Sequence, residues 1–485
     1  MSETIGIVGI GVMGRNIALN FSDNDINVVV FNKSKDKIDD LIHEGSKKNI
    51  SGFTSLNEFV KNIESPRNIL LMVPSGEATN SVAEELLDLL DHDDVLIDGG
   101  NSFYKDSLEL GNKCKKKKIR FVGMGVSGGE TGARHGPALM LGSSDNIPEN
   151  LLSMIKSISA KSSYGDCVGV YKGYGTGHFI KMLHNGIEYA EMQILAEIYS
   201  ILKSSNLSNI EISNFFESLK EKNQSSYLIE ISSEIIKKKT NNEYLIDNIK
   251  PIANNKGTGK LTVETSLEYN FPLPSIYEAF NARVESHFQK IWPKVTHSKN
   301  LNVDLNKIEN TIYFARLSTL IQGILFIEHF SNKESLEIKI PEVLQNWLSG
   351  CIIRSDLLKD IKEIYEEIST DSSIVEIEEI QNQLEEKLDD IKTTINKSVE
   401  SQIALPVIYS SYNWYINSSN NFNPSSLIQA QRDFFGAHMV QLLNEDEKII
   451  INFEEKVTSG DWKLYIDFEG EIFDYLRGFY RSKFV

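Results

Sequence analysis

The sequence predicts a doubly wound α/β domain with a parallel sheet (residues 1–176), a large all-α domain (177–438) and a short C-terminal tail (439–485). Through about the first 145 residues, short apolar runs alternate with helical patterns, which is typical of a parallel sheet with helices on both faces. From Gly177 onward, apolar residues recur at helical spacing and strand signals are few. A chain of 485 residues also exceeds what one hydrophobic core usually supports, so we expect several domains.

The expected strands of the first domain are apolar runs that end in turn-forming residues. They are Thr4–Val8, Asn27–Phe31, Ile69–Val73, Val95–Ile97 and Arg120–Met124. A helix is expected over Arg15–Phe21, shortly after the first strand. The basic run Lys113–Lys118 looks like a phosphate patch, but it fits better as the exposed end of a helix that leads into the strand at Arg120.

The second region is expected to be mostly helical. Gly177–Ser204 and Thr311–Phe330 have the spacing of long helices. We interpret Ile374–Glu400, which is rich in Glu, Lys, Asp and Ile, as a solvated amphipathic helix rather than a partner-binding coiled coil. Ser410–Ser426 is dense in Ser, Asn and Tyr, which favours a loop.

Charge and composition argue against several classes of protein. Lys and Arg number 50 against 68 Asp and Glu, so the formal net charge is −18, which disfavours binding to nucleic acid or to an anionic membrane. Cys114, Cys167 and Cys351 lie far apart with no His at zinc spacing, so neither a disulfide framework nor a metal site is expected. Because no membrane-length apolar run or targeting segment stands out, we expect a cytoplasmic protein.

A glycine-rich turn follows the first strand and opens the first helix. It consists of Gly9, Ile10, Gly11, Val12, Met13 and Gly14. The first glycine permits a tight turn, the second lets the backbone approach a pyrophosphate, and the third allows the helix and strand to pack closely. Between a strand and a helix, this motif indicates a Rossmann unit that binds a dinucleotide at the helix N-terminus.

The end of the second strand distinguishes between the two nicotinamide cofactors. NAD-binding folds usually place Asp or Glu there for the ribose hydroxyls, whereas this strand ends in Asn32, Lys33 and Ser34. A cation flanked by an amide and a hydroxyl suits a 2′-phosphate, so NADP is favoured over NAD. The alternative is an exposed turn with incidental lysines.

The segment Gly177–Tyr189 has the clearest catalytic pattern. Helical offsets of three, four and seven residues place four polar side chains on one face, among apolar neighbours. They are Lys181, His184, Asn185 and Glu188. Desolvation disfavours the ammonium form of a lysine in such a place, so Lys181 is a candidate general base and Glu188 a candidate acid. The alternative is a surface stripe of lysine and glutamate with a capped histidine.

Three further polar clusters are marked by glycine. Val126–Gly129 offers a hydroxyl and backbone N–H groups to an anionic oxygen, and Lys256–Thr262 offers cations and hydroxyls to a phosphate. Arg432–His438 places an arginine close to a histidine. Each cluster alone is equally compatible with a turn, a linker or an ordinary amphipathic segment.

Together these motifs resemble those of the long, decarboxylating 6-phosphogluconate dehydrogenases. The matching segments occur in the family's order and are Gly9–Asn16, Asp98–Ser102, Gly123–Glu130, Gly132–Arg134, Gly177–Tyr189, Lys256–Lys260, Gly350–Ser355 and Leu427–His438. They extend over most of the chain. Gly177–Tyr189 and Leu427–His438 are highly specific to the family, whereas the glycine motif alone is not.

The resemblance implies an activity and a domain plan. The activity is oxidation of 6-phospho-D-gluconate by NADP to ribulose 5-phosphate and carbon dioxide, without a metal, in the oxidative pentose phosphate pathway. Lys181 would take the proton of the C3 hydroxyl, and Glu188 would later protonate C1 of the enediol. The plan is a Rossmann domain, a helical dimerisation domain and a tail that reaches into the other subunit.

The resemblance also implies binding residues. Those for the sugar acid and its phosphate are Asn101, Ser127, Gly128, Gly129, His184, Asn185, Tyr189, Lys260, Thr262 and Arg283, completed by Arg432 and His438 from the other subunit of a homodimer. Those for NADP are Gly9, Ile10, Gly11, Val12, Met13, Gly14, Asn32, Lys33, Ser34, Val73, Pro74, Ser75 and Asn101.

The sequence departs from the family pattern at several positions. Lys33 stands where the family commonly has Arg, so a point charge replaces a bidentate guanidinium, and weaker affinity for NADP or looser selectivity over NAD is expected. Pro74 replaces a Lys near the cofactor, and Leu261 replaces a Trp. The last 40 or so residues lack the aromatic and His-containing tail that is usual in the family.

Two other functions remain open. A 3-hydroxyacid dehydrogenase of the same superfamily would share the Rossmann domain and a catalytic lysine, but such enzymes are typically shorter and lack the set formed by Lys260, Arg432 and His438. A diverged NADP-binding protein without activity would account for the unusual tail, although the intact pair of Lys181 and Glu188 argues against it.

Overall fold

The computed structural model describes most of the chain. The described residues are 3–45, 49–255, 257–288, 301–368, 372–420, 423–443 and, for the backbone only, 448–449. They belong to two compact units, Met1–Trp414 and Tyr415–Val485. Most of the expected tail, 439–485, therefore lies outside the described residues.

The strands are concentrated in the N-terminal part. They are β1 (Thr4–Val8), β2 (Asn27–Phe31), β3 (Ile50–Phe53), β4 (Asn68–Leu71), β5 (Val95–Asp98), β6 (Arg120–Ser127), β7 (Ala138–Ser143), β8 (Lys161–Ser162), β9 (Gly165–Asp166), β10 (Val168–Lys172), β11 (Lys239–Thr240), β12 (Glu243–Tyr244), β13 (Val440–Gln441) and β14 (Lys448–Ile449).

Eight of these strands form one mostly parallel sheet, in the order β10-β7-β6-β5-β4-β1-β2-β3. β1 pairs in parallel with both β2 and β4, so Val8 lies between Phe31 and Leu71. Only the β6–β7 pairing within this sheet is antiparallel, with Ser127 opposite Ala138. Strand order reverses between β1 and β4, and ligands of open α/β sheets bind in the crevice at the carboxyl ends of such strands.

Helices flank this sheet and make up most of the chain beyond it. They are α1 (Val12–Asp23), α2 (Lys35–Glu44), α3 (Leu56–Lys61), α4 (Glu77–Leu87), α5 (Tyr104–Lys116), α6 (Gly129–His135), α7 (Glu149–Ile158), α8 (Thr176–Ser204), α9 (Asn209–Ser218), α10 (Tyr227–Lys237), α11 (Thr258–Glu268), α12 (Pro274–Ser286), α13 (Leu305–Glu334), α14 (Ile340–Trp347), α15 (Asp356–Ile368), α16 (Glu378–Glu385), α17 (Leu388–Glu400), α18 (Pro406–Ser419) and α19 (Ser425–Gly436).

Both faces of the sheet are buried, as the apolar strand sequences require. Along β1, Ile5 and Ile7 point into one core while Val8 points into the other, because successive side chains of a strand alternate between faces. Val28 and Val29 on β2 divide in the same way. The predicted α/β domain followed by a mostly helical region is therefore confirmed.

Most of the local predictions agree with the structure. β1 and β2 have the predicted bounds, β6 extends three residues further than predicted, to Ser127, and the long helices appear as α8 and α13. The basic run Lys113–Lys118 forms the end of α5 and the turn after it, where Lys117 donates to Asp88 at 2.6 Å. It is the exposed helix end that the sequence favoured.

The prediction of a loop over Ser410–Ser426 is wrong, because α18 continues to Ser419 and α19 begins at Ser425. The Ser411 hydroxyl is buried and donates to the Val407 carbonyl at 2.9 Å, one turn earlier. It also lies 2.9 Å from the Ser275 hydroxyl. Serines therefore occupy a packed helix face here because their hydroxyls find partners within it.

Ile374–Glu400 is amphipathic as predicted but is not one solvated helix. It consists of a 3₁₀ turn (Ile374–Glu376) followed by α16 and α17. Ile391 and Ile395 are buried on the inner face of α17, which packs against α13. This side of the segment belongs to the core.

Two features are absent from the described residues. None of the helices there combines the length and the apolar composition of a membrane-spanning segment. No group of three or more His, Cys, Asp or Glu side chains in the same part of the chain is arranged to hold a metal ion.

Candidate active site

Helix α8 packs its first turns directly against β6 and β7, because glycines remove the side chains that would separate them. A Cβ atom at Gly125 would lie 2.4 Å from the Cβ of Lys181, and one at Gly142 would lie 2.4 Å from the Gly177 nitrogen. Such distances are too short for any larger residue. This close packing carries Lys181 to the carboxyl end of β6, beside Ser127.

The predicted polar face of α8 is formed by side chains in mutual contact. Lys181 Nζ donates to Asn185 Oδ1 at 2.8 Å and lies 3.4 Å from His184 Nδ1. His184 Nε2 lies 3.2 Å from the Ser127 hydroxyl. Glu188 Oε2 lies 3.8 Å from His184 Nδ1, so the carboxyl group continues the face by one further turn.

Burial sets the electrostatics of this face. Lys181 is only 7% exposed, and burial lowers the pKa of its ammonium group, although the charge of Glu188 opposes this shift. His184 is fully buried, and burial together with the neighbouring Lys181 holds its pKa well below the usual histidine range. An amine whose ammonium form is disfavoured by burial, beside a neutral imidazole, is suited to accept a proton from a substrate hydroxyl.

Two residues that the sequence did not place at this face also border it. The Trp347 ring from α14 meets the His184 ring edge-to-face, with 5.9 Å between ring centres. Cys351 is fully buried within electrostatic range of Lys181, and burial raises the pKa of its thiol to about 12, so it stays neutral. Both residues lie more than 150 positions after His184 in the sequence, so no local spacing could have indicated them.

The turn that contains Ser127, Gly128 and Gly129 joins β6 to α6. Gly128 has φ of +120°, and a Cβ atom there would lie 2.3 Å from the Gly350 carbonyl oxygen. Only glycine fits both constraints. The contact ties this turn to the segment that carries Cys351, and the Ser127 hydroxyl faces His184.

Asn101 lies at the neighbouring strand end, just after β5. Its side chain is exposed, while the residues before it are fixed: Asp98 is buried and its Oδ1 accepts from the Gly100 nitrogen at 3.0 Å. Asn101 is therefore presented to solvent from a rigid turn.

A second cluster surrounds Tyr189, further along α8. The Arg283 guanidinium stacks on the Tyr189 ring at 3.5 Å from its centre. A Cβ atom at Gly259 would lie 2.4 Å from the same ring, so α11 packs tightly against it. This arrangement orients the arginine that was expected to bind a phosphate.

The other residues expected to bind a phosphate are arranged differently from Arg283. The Thr262 side chain is fully buried, and its hydroxyl bonds to the Met182 carbonyl at 2.8 Å, so it joins α11 to α8. Lys260 is exposed and pairs with Glu264 at 3.1 Å. Lys256 lies outside the described residues.

The glycine-rich turn has the geometry that the sequence predicts. A Cβ atom at Gly14 would lie 2.0 Å from the Gly9 carbonyl oxygen, and Gly9 has φ of +93°. Nothing lies within 4 Å of the place where a Gly11 Cβ would stand. The first and third glycines are thus required by packing, whereas Gly11 faces open space at the N-terminus of α1. Ile10, Val12 and Met13 complete this turn.

Two further turns lie at the carboxyl ends of strands next to β1. After β2, Asn32 Nδ2 donates to the Ser34 carbonyl at 3.2 Å and the Lys33 side chain is exposed. After β4, the turn that contains Val73, Pro74 and Ser75 leads into α4, and the Pro74 carbonyl accepts from Thr79 at 3.0 Å.

Arg432 and His438 lie in the second unit. Arg432 is in the C-terminal half of α19, and His438 follows the end of that helix by two residues. Both side chains are exposed, and Arg432 Nη1 donates to Gln429 Oε1 at 3.1 Å. Large apolar residues of the same segment are exposed as well, including Leu427 and Phe435.

Comparison with known proteins gives a consistent result over most of the chain. Residues 4–170 match the family of the NAD binding domain of 6-phosphogluconate dehydrogenase, and residues 177–453 match the C-terminal domain of 6-phosphogluconate dehydrogenase. The decarboxylating 6-phosphogluconate dehydrogenases of Staphylococcus epidermidis and Staphylococcus aureus are each 37% identical over 452 residues, which cover 90% of this chain and 96% of the relative.

A solved structure agrees with these matches. The 6-phosphogluconate dehydrogenase of Plasmodium falciparum, solved in its apo form and in complexes with NADP⁺ and with 6-phosphogluconate, has a TM-score of 0.86 at 29% identity. The similarity covers 92% of this chain and 99% of that one. Because sequence and fold agree across both parts of the molecule, the chain belongs to the family of decarboxylating 6-phosphogluconate dehydrogenases.

Proposed function

We propose that this protein oxidises and decarboxylates 6-phospho-D-gluconate to D-ribulose 5-phosphate and carbon dioxide, with NADP as the oxidant, in the oxidative pentose phosphate pathway. The observation that carries the proposal is the buried contact of Lys181 with Asn185 and His184 beside Ser127. The family membership of the chain supports the same reaction.

The residues of the glycine-rich turn fit a dinucleotide. The open space at Gly11 lies at the N-terminus of α1, where backbone N–H groups favour a pyrophosphate. Lys33, flanked by Asn32 and Ser34, supplies a cation for the 2′-phosphate, and Val73 to Ser75 border the same end of the sheet. When bound, NADP supplies the hydride acceptor.

Lys181 acts as general base and then as general acid. The hydrogen bond to Asn185 Oδ1 holds the Lys181 nitrogen in place. In its neutral form, the amine accepts the proton of the C3 hydroxyl while a hydride leaves C3. The resulting 3-keto acid loses carbon dioxide when protonated Lys181 donates to the C3 oxygen, which takes up the electron pair of the broken C–C bond. Glu188 then protonates C1 of the enediol.

Other side chains hold the substrate. Asn101, Ser127, Gly128 and Gly129 line the strand ends, and His184 and Asn185 face them, so this group binds the sugar acid. Tyr189, Lys260, Thr262 and Arg283 form the phosphate end. Thr262 serves this end by fixing α11 against α8, since its hydroxyl is already bonded to Met182.

The active protein is a homodimer in the cytoplasm, and Arg432 and His438 of one subunit complete the site of the other. The exposed apolar side chains around Arg432 support a surface that is covered by a second chain. Mixing Lys181→Met protein with Arg432→Ala protein tests this arrangement, because a hybrid dimer regains one intact site. Recovery of activity on mixing is expected, and no recovery from exchanged subunits contradicts the shared site.

The reaction itself is tested with purified protein, NADP and 6-phosphogluconate. We expect reduced nicotinamide absorbance to grow with equimolar release of carbon dioxide, and more slowly with NAD. Short unphosphorylated hydroxyacids are the matched substrates, and rapid turnover of one of them would indicate a 3-hydroxyacid dehydrogenase instead. Folded, dimeric protein that binds NADP but turns over no sugar phosphate would contradict the proposal.

A further inference from the structure

A second histidine of α8, His178, lies one turn before Lys181, and its ring nitrogens face Gly100 and Ser107 rather than the proposed proton-transfer residues. Its side chain is 2% exposed. His178 Nε2 lies 3.1 Å from the Gly100 carbonyl oxygen, and Nδ1 lies 2.6 Å from the Ser107 hydroxyl. Space for the ring comes from β6, since a Cβ atom at Gly123 would lie 3.1 Å from Nδ1.

The contact with the Gly100 carbonyl indicates which nitrogen of the imidazole carries a proton. A carbonyl oxygen only accepts, so Nε2 must carry the proton that is donated to Gly100. Burial lowers the pKa of His178, which favours a neutral ring, although the charge of Asp98, the backbone hydrogen bonds with Gly100 and Met124, and the charge of Asp106 oppose this shift. A neutral ring with a proton on Nε2 can accept at Nδ1 from the Ser107 hydroxyl, which lies 2.6 Å from Nδ1 and 3.4 Å from the Phe103 carbonyl oxygen.

Both backbone polar groups of Gly100 are thereby hydrogen-bonded. Its N–H group donates to the Asp98 carboxylate and its carbonyl accepts from His178. Asn101, the next residue, is the exposed side chain proposed to contact both substrate and cofactor. His178 and Lys181 are separated by one turn of the same helix. The hydrogen bond from His178 to Gly100 therefore fixes the position of the Asn101 turn relative to the Lys181 amine.

We infer that His178 is a positioning residue, whose hydrogen bond to the Gly100 carbonyl fixes the place of Asn101 relative to Lys181. This inference rests on the proposed function for its catalytic consequence, but its structural part does not. Small displacements of reacting groups are costly, since a shift of about 1 Å lowers turnover by roughly 100-fold.

Two variants of equal polarity separate this role from general packing. In His178→Gln, the amide nitrogen reaches the place of Nε2 and keeps the bond to Gly100. In His178→Asn, the shorter amide reaches only the place of Nδ1 and keeps the contact with Ser107. Both lose the ring, so a role in packing alone would affect them similarly.

We expect kcat to fall by roughly 100-fold in His178→Asn and to be restored to within about tenfold of the parent in His178→Gln. The deuterium isotope effect with 3-deuterated substrate should rise in the asparagine variant, because hydride transfer becomes rate-limiting. Hydrogen exchange in the peptide that spans Asp98–Phe103 should accelerate in His178→Asn and not in His178→Gln.

The exchange measurement needs no turnover, so it tests the inference even when the parent protein fails the activity assay. Equal exchange and equal kcat in the two variants would overturn it. If His178→Asn does not fold, Ser107→Ala serves instead, since loss of the Nδ1 partner weakens the required tautomer. Unchanged exchange in that variant would also overturn the inference.

Discussion

The turn after β1 and the polar face of α8 differ in the source of their chemistry. In Gly9–Gly14, backbone groups of a turn are the proposed binding elements, and Gly11 faces open space. On α8, side chains are the proposed active elements, and burial lowers the pKa of both Lys181 and His184. The difference teaches that cofactor binding depends on local backbone shape, whereas proton transfer depends on the packed environment.

Replacement of Lys181 by Met is the most severe test of this separation. We expect kcat to fall by about 1,000-fold, as is typical when a general acid–base group is lost, while the Kd for NADP stays near that of the parent. Steady-state kinetics and calorimetric titration measure the two quantities. Lys172→Met, at an exposed lysine on β10, is the control and should change neither. A large loss of NADP affinity in Lys181→Met would show that the two regions are not separable.

The pH dependence of kcat/KM tests the burial of Lys181 directly. Only the neutral amine is a base, so kcat/KM should fall about tenfold for each pH unit below the pKa of Lys181, and that pKa should lie below the ordinary lysine value of about 10.4. The charge of Glu188 raises this pKa, so Glu188→Gln should move the acid limb to lower pH. A shift toward higher pH would contradict the assignment.

Gly14 and Gly11 test the glycine-rich turn in different ways, because Gly14 is required by packing whereas Gly11 faces open space. Gly14→Ala places a Cβ atom 2.0 Å from the Gly9 carbonyl oxygen, and overpacking of this kind costs roughly 1–3 kcal/mol of folding stability. Gly11→Ala meets no protein atom within 4 Å, so its Tm should equal that of the parent while NADP binds about tenfold more weakly, or about 1.4 kcal/mol. Unchanged NADP affinity in Gly11→Ala would place the pyrophosphate elsewhere.

The same contrast explains what could be predicted from the sequence. Features that depend on periodicity and local turns can be predicted from the sequence. They include strand bounds such as Thr4–Val8, the glycine-rich turn, and the face formed by Lys181, His184 and Asn185. The ring of Trp347 over His184 depends on contacts between distant segments, which carry no local signal. The serine content of Ser410–Ser426 predicts a loop, but the first part of this segment belongs to α18 because Ser411 is packed and hydrogen-bonded there.

At Lys33, an exposed side chain is expected to act on NADP binding through its charge alone. Lys33→Asp replaces attraction to a 2′-phosphate by repulsion, and charged hydrogen bonds contribute about 1.5–3 kcal/mol, so NADP should bind roughly 10- to 100-fold more weakly. NAD, which lacks that phosphate, should lose far less. Lys37→Asp, an equal charge change at an exposed position on α2, is the control. Equal weakening of both cofactors in Lys33→Asp would mean that the turn after β2 does not contact the 2′-phosphate, and that selectivity arises in another part of the crevice.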